Sequence, residues 1–230
     1  MSQITLNLIA IAIFAFTMLS LLGPLLGLSP AAVAIAAATC LGIVTVDRLG
    51  WQGRGGNLLI DLLSQRSADY RQRIVHHEAG HFLTAYLLEI PIQAYTLSAW
   101  EAWRAGLPGL GGVIFDSAEI EAEIEQGKIS AQQLDRYYQV YMAGIAAEQQ
   151  VYGSAEGGED DRLRLRSLWR QLDRSQAEGE LKLRWSQLQA SNLIQRQQSA
   201  YDALVTAMTE RATVETCCQA IEQHRAEAVT

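Results

Sequence analysis

The sequence predicts a mainly α-helical protein in which a two-helix transmembrane hairpin precedes a helical domain with a small β-ribbon. Residues 1–46 contain no charged side chain, which is typical of membrane-spanning segments. Further along, apolar residues recur at helical spacing between capping signals. After Pro91 the pattern changes to two short strand-like runs. The predicted organisation is a hairpin over residues 1–48, a linker over residues 49–66 and one domain over residues 67–230.

The composition limits the classes of partner and site. The chain has 230 residues, a net charge of −7 and an apolar fraction of 49%. This acidic balance does not indicate a nucleic-acid partner, and none is predicted. Cys40, Cys217 and Cys218 lack the spacing of a zinc knuckle. We therefore predict buried free thiols in a reducing compartment.

The N-terminal segment predicts two membrane spans, with membrane lipid as a partner. Residues 4–22 are apolar almost throughout and long enough to cross a bilayer, and residues 31–46 form a shorter second run. A cleaved signal peptide is the alternative, which the missing basic n-region and the second apolar run disfavour. Five arginines follow the second run and predict that the domain and the N-terminus face the cytoplasm. They are Arg48, Arg54, Arg66, Arg71 and Arg73.

A metal-binding motif lies in the first predicted helix of the domain. His77, Glu78 and His81 form the pattern His-Glu-x-x-His, whose two histidines share one face of an α-helix and can bind one Zn²⁺. Glu78 is placed to take a proton from an activated water molecule. Histidines of an apolar core are the alternative, which the cost of burying two imidazoles and an acid disfavours. His76 is one residue off this face. It is either a bystander or a hydrogen-bond donor to one of the metal-binding side chains.

The elements around this motif follow from local signals. Ser67 and Pro91 bound the motif helix, and residues 92–98 and 111–115 predict the two strands of the ribbon, with a loop over residues 100–110 between them. A strand edge beside a zinc helix can bind an extended peptide by backbone pairing, and a hairpin that only covers the core is equally open. A capping box at Ser130 and a glycine stop at Gly153 predict a further helix.

A catalytic zinc site needs three protein ligands and one open position. His77 and His81 supply two ligands, while His76 and His224 are poorly placed to supply the third. A carboxylate is therefore required from elsewhere in the chain, and spacing alone does not identify it.

Three segments resemble the protease domain of the FtsH-type membrane-bound zinc metalloproteases. Residues 77–81 match that family's His-Glu-x-Gly-His, residues 143–148 (Ala-Gly-Ile-Ala-Ala-Glu) resemble its Gly-Gly-Arg-Ala-Ala-Glu, and residues 157–161 (Gly-Gly-Glu-Asp-Asp) resemble its Gly-Ala-Ser-Asn-Asp. The resemblance covers about residues 70–225 and implies an α-helical zinc-metalloprotease domain. It implies that Asp161 completes the zinc site, with Asp160 as the alternative, and that Glu148 lies near the metal.

The chain departs from the family in ways that change the expected activity. The sequence contains no Gly-x-x-x-x-Gly-Lys-Ser/Thr, and about 20 residues between the second span and the zinc helix leave no room for an AAA ATPase module, so no intrinsic ATP binding is predicted. Ile145 and Gln149 stand where the family has Arg and Glu. The chain thus resembles ATPase-less relatives of the kind found in cyanobacteria and chloroplasts. For a cyanobacterial chain, this implies the thylakoid or plasma membrane.

The predicted function is a membrane-anchored, ATP-independent zinc endopeptidase that cleaves flexible or unfolded proteins, including membrane proteins, near the bilayer surface. Its partners would be protein or peptide substrates, with a homo-oligomer and association with FtsH-type proteases both open. The alternative is a non-proteolytic membrane-bound assembly or accessory factor of FtsH-type complexes. Such a factor would have no use for the base Glu78.

Overall fold

The computed structural model describes residues 3–50, 67–106, 112–116, 118–126 and 128–226, and it is mainly helical, as predicted. The chain divides into two compact units, one made of Met1–Ser67 and Ser98–Gly111, the other of Ala68–Leu97 and Gly112–Thr230. The elements are α1 (Gln3–Leu22), α2 (Pro30–Gly50), α3 (Ala68–Leu87), β1 (Ile92–Thr96), α4 (Ala99–Arg104), β2 (Gly112–Phe115), α5 (Ala118–Glu125), α6 (Ala131–Tyr152), α7 (Glu159–Gln171), α8 (Gln176–Arg196), α9 (Gln198–Thr209) and α10 (Val214–His224).

The first unit contains the two predicted apolar helices. A 3-10 turn, Gly23–Leu26, joins α1 to α2, and most side chains of both helices are exposed. The stretches Leu6–Leu26 and Pro30–Asp47 are long and apolar enough to cross a membrane, and a signal sequence near the N-terminus has the same length and composition. Of the predicted linker over residues 49–66, Leu49 and Gly50 belong to α2 and the remainder lies outside the described residues.

The segment after β1 differs from the prediction. A loop was expected over residues 100–110, but α4 forms there, and the Ser98 hydroxyl caps it by accepting the Glu101 N–H at 3.1 Å. The glycine and proline that suggested a loop follow the helix instead of interrupting it. The rings of Trp100 and Trp103 lie 4.9 Å apart on the exposed side of α4. Residues 107–111 lie outside the described part of the chain.

The second unit is built around α3 and α6, which pack at close range. A Cβ at Gly80 of α3 would lie 2.5 Å from the carbonyl oxygen of Ala143 and 2.7 Å from the Cβ of Ala147, both on α6. Only glycine permits this approach. Helices α8, α9 and α10 cover the other sides of the pair and complete the main hydrophobic core with it.

A second cluster of buried residues lies between α6, α7 and α8, and Leu134, Tyr138, Leu165 and Leu183 belong to it. Helix α6 is bounded as predicted, by a capping box at Ser130 and by Gly153 in the left-handed region with a φ of 73°. These two signals fix where α6 starts and stops, and therefore which of its residues face α3 and α7.

The ribbon is confirmed as two antiparallel strands, with Tyr95 of β1 opposite Val113 of β2. The Tyr95 hydroxyl donates to the carbonyl oxygen of Ala212 at 2.5 Å, which ties β1 to the loop before α10. Strand β2 contacts α3, so the ribbon lies beside the helix that carries the motif.

The cysteine prediction is correct only in part. All three thiols are free, but Cys217 alone is buried, while Cys218 is half-buried and Cys40 is exposed on α2. Cys40 was expected to be buried because its surroundings are apolar, but α2 exposes most of its apolar surface.

Candidate metal centre

Two helices bring the predicted ligands together. His77 and His81 lie one turn apart on α3 and are buried, at 8% and 5% exposure. Asp161 lies in the first turn of α7, and its Oδ2 is 3.3 Å from His77 Nε2 and 3.6 Å from His81 Nε2. The three ligand atoms are within 4.8 Å of one another, so the cluster could hold a metal ion. Asp160, the alternative ligand, is exposed.

Hydrogen bonds fix which nitrogen each imidazole presents to the cluster. His81 Nδ1 lies 2.8 Å from the Val140 carbonyl oxygen, which can only accept, so this nitrogen must carry the proton. His77 Nδ1 lies 2.7 Å from Glu148 Oε1. A neutral imidazole that donates through Nδ1 keeps the lone pair of Nε2 for a metal. Both Nε2 atoms lie close to Asp161, as a shared ion requires.

Glu148, which the resemblance implied to lie near the metal, connects two parts of the site. Its carboxylate is 2% exposed and accepts the backbone N–H of Glu156 at 2.9 Å and of Gly157 at 3.1 Å, besides the bond with His77. Burial by itself would raise the pKa of Glu148, but these three hydrogen bonds hold it below its usual range. The same side chain therefore orients a ligand on α3 and the segment that leads into α7.

Bare backbone faces the centre of the cluster. A Cβ at Gly144 of α6 would lie 2.5 Å from His81 Nε2 and would also collide with His77 Nε2, so any side chain there would enter the space between the two imidazoles. Two imidazole nitrogens and one carboxylate form the donor set of a three-ligand zinc site with an open fourth position. The residues present therefore fit Zn²⁺.

The electrostatics of the cluster favour a cation. Burial by itself lowers the pKa of His77, but hydrogen bonds with Asp161 and Glu148 and the nearby negative charges raise it to about 10. Burial would raise the pKa of Asp161, yet the charges of His81 and His77 hold it well below its usual range. The carboxylates thus impose a negative potential that a proton or a divalent cation can neutralise.

Glu78 lies next to His77 and keeps its carboxylate near the cluster. Burial raises the pKa of Glu78, and the charges of His81 and His77 oppose that rise. Its Oε2 accepts the backbone N–H of Val113 in β2 at 3.0 Å. A carboxyl with a raised pKa, held by one hydrogen bond beside a metal site, is suited to accept and return a proton.

The two remaining histidines lie outside the cluster, as the sequence analysis expected. His76 Nδ1 lies 2.9 Å from the Tyr201 hydroxyl. His224, at the end of α10, is exposed and bonds to the carbonyl oxygen of Ala220. Neither arrangement presents a nitrogen to Asp161.

Sequence reasoning missed a pair of tyrosines beside the site. The Tyr141 ring lies 6.4 Å from that of His81, and the Tyr137 hydroxyl donates to the Tyr141 hydroxyl at 3.3 Å. Tyr141 looked like a core residue in the sequence. The available signal was its position three residues before Gly144, on the same face of α6.

Comparison with known proteins adds no relative. No family model matches the chain, and no curated protein matches it. The resemblance to FtsH-type proteases is therefore carried by residues 77–81, 143–148 and 157–161 alone.

Proposed function

We propose that the chain is a membrane-anchored, ATP-independent zinc endopeptidase that cleaves flexible or unfolded proteins near the bilayer surface. One observation carries the proposal. The ligand atoms of His77, His81 and Asp161 lie within 4.8 Å of one another, and Glu78 follows the first of them on the same helix. A purely structural metal site would gain nothing from a carboxyl with a raised pKa in that position.

The resident ion would be Zn²⁺, held by His77, His81 and Asp161. When bound, Zn²⁺ supplies Lewis acidity and lowers the pKa of water toward about 7. The chain supplies the remaining functions. Glu148 and the Val140 carbonyl hold the two imidazoles in the orientation that presents Nε2. Glu78 accepts the proton of the attacking water and passes it to the leaving amine nitrogen.

The proposed substrate class rests on the two apolar helices and on the lack of a Gly-x-x-x-x-Gly-Lys-Ser/Thr motif in this sequence. Two helices that could cross a membrane precede the metal-binding unit, and the arginines after them support a cytoplasmic location for the site. Without ATP-driven unfolding, the chain would cleave tails, loops and proteins that are already unfolded. Association with FtsH-type proteases, which carry an AAA ATPase module, would extend this range.

The test uses the full chain purified in detergent, with zinc measured by mass spectrometry and proteolysis measured on unstructured casein. The wild-type chain should hold about one zinc ion and cleave casein. Glu78→Gln should keep the zinc, since Glu78 is not one of the ligands, and should lose about 10²–10⁴-fold in rate, which is the usual value of a general base. Glu215→Gln, an exposed residue in the first turn of α10, is the matched control and should change neither.

Two results would contradict the proposal. If Glu78→Gln cleaves casein at the wild-type rate, Glu78 is not the base. If the wild-type chain holds zinc and cleaves no protein, the non-proteolytic assembly or accessory factor becomes the better description.

A further inference from the structure

We propose that Tyr141 is a further catalytic residue, whose phenol O–H donates a hydrogen bond to the oxyanion that forms on the scissile carbonyl. The inference rests on the proposed peptidase function and assigns a stabiliser that the motif itself does not contain. Acyl-transfer sites need a donor that is already directed to where negative charge develops.

Tyr141 lies close to the candidate metal site. Its ring makes an edge contact with His81 at 6.4 Å and with Phe115 of β2 at 5.8 Å. Tyr141 also lies one helical turn before Gly144, whose bare backbone faces the Nε2 atoms of both ligand histidines. The Tyr141 ring is therefore close both to one of the candidate metal ligands and to the ribbon.

A chain of hydrogen bonds prepares this phenol as a donor. Arg164 Nε donates to the Tyr137 hydroxyl at 3.1 Å, and the Tyr137 hydroxyl donates to the Tyr141 hydroxyl at 3.3 Å. The Tyr141 oxygen is thus an acceptor in this chain, and its own proton is directed elsewhere. Successive hydrogen bonds polarise one another, so a chain that starts at a guanidinium strengthens the last O–H, here that of Tyr141, as a donor.

The phenol also stays protonated. Burial raises the pKa of Tyr141 above its ordinary value, so at neutral pH the side chain is a hydrogen-bond donor. Arg164 adds positive potential, because its guanidinium carbon lies 5.3 Å above the Tyr141 ring. Both effects favour an anion opposite the hydroxyl.

The reaction step balances without proton loss from Tyr141. The water oxygen bonds to the carbonyl carbon, the carbonyl π pair moves to its oxygen, and Glu78 holds the released proton. Tyr141 donates a hydrogen bond to that oxygen and keeps its own proton. The electron pair on that oxygen then re-forms the C=O bond and the C–N bond breaks. Glu78 protonates the amine nitrogen that leaves. The products are a carboxylic acid and an amine.

The test compares Tyr141→Phe with the wild-type full chain. Phenylalanine keeps the ring contacts with His81 and Phe115 and removes only the hydroxyl. On a peptide copied from the casein site that the wild-type chain cleaves fastest, kcat should fall about 10²-fold with KM and zinc content unchanged. The affinity for a phosphinic analogue of the same peptide, measured by calorimetry, should fall by a similar factor, because its tetrahedral phosphinate mimics the oxyanion.

Two further variants separate catalysis from structure. Tyr137→Phe removes the donor behind Tyr141 and should lower kcat by a smaller factor, about 3- to 10-fold. Tyr86→Phe removes an exposed hydroxyl that bonds to Glu222 and should behave like the wild type.

The outcomes are distinguishable. If Tyr141→Phe keeps both its kcat and its affinity for the phosphinic peptide, or if it loses zinc or raises only KM, the proposed role of Tyr141 is wrong and the peptidase proposal stands. If the wild-type chain cleaves neither casein nor the peptide, both proposals fail together.

Discussion

At the scale of single residues, two adjacent carboxylates have different surroundings. Asp161 lies within 3.6 Å of both imidazole Nε2 atoms, whereas its neighbour Asp160 is exposed. Successive residues on a helix are about 100° apart, so only one of the two can face α3. Substitutions at Asp161 and at Asp160 therefore form a matched pair that tests which of them is the third metal ligand.

Asp161→Asn should lose zinc and Asp160→Asn should retain it. The amide removes the anionic ligand while keeping the shape of the side chain. Loss of a ligand usually lowers metal affinity by more than about 10-fold. Competition with a chromophoric zinc chelator measures both affinities. Equal affinities for the two variants would show that Asp161 is not a ligand.

The histidine pair and Glu78 could be predicted from the sequence because helical periodicity alone places them. Asp161 could not be derived in this way. It lies 84 positions after His77, and only the packing of α7 against α6 brings it to α3. The resemblance suggested it, and the structure brings its carboxylate next to the two imidazoles. Tyr141 was missed because a half-buried tyrosine beside a site has the same local pattern as a core aromatic residue.

At the scale of the elements, the approach of α3 to α6 controls the site. The two candidate ligand histidines lie on α3, while the Val140 carbonyl and the Glu148 carboxylate that orient them lie on α6. Any separation of the helices would lengthen both hydrogen bonds at once. Gly80 sets the separation, because a Cβ there would collide with Ala143 and Ala147.

Gly80→Ala should destabilise the protein, although alanine is normally favoured over glycine in a helix by about 1 kcal/mol. Overpacking against the α6 backbone should lower the free energy of unfolding by about 1–3 kcal/mol, read as a shift of the thermal transition in circular dichroism. Gly42→Ala is the control, since a Cβ at Gly42 meets nothing within 4 Å. A Gly80→Ala variant as stable as the wild type would contradict this packing argument.

Local signals predicted the helix boundaries well where they were strong. The capping box at Ser130 and the stop at Gly153 are both observed. Local signals failed at α4, whose sequence is rich in tryptophan and lies just before a glycine and a proline. There the serine cap at Ser98 outweighs the turn residues that follow, and such competition between nearby signals is not resolved by composition.

At the scale of the whole molecule, the most consequential feature is the apolar hairpin. Its two helices expose most of their apolar side chains, with Ile13 63% exposed and Leu41 69% exposed. Water would penalise such a surface heavily, and a bilayer would not. Their existence could be predicted from hydropathy alone, because a charge-free stretch of this length has few other uses.

The full chain should therefore remain in the membrane pellet after alkaline carbonate extraction. Ile13→Arg combined with Ala38→Arg should release a large fraction of it, because each buried arginine costs about 2.5–3.5 kcal/mol near the centre of a span. Leu163→Arg, at an exposed position on α7, is the control and should stay in the pellet. Release of the wild-type chain would exclude integral membrane insertion.

The bond between the Val113 amide and Glu78 has a consequence for how a substrate would enter. The N–H that holds the carboxylate belongs to the edge of β2, the same edge along which an extended peptide would pair. A peptide that pairs there competes with Glu78 for this amide, and the chemical shift of the Val113 proton would report the exchange. Pairing of a peptide with β2 would then free the Glu78 carboxylate in the same step.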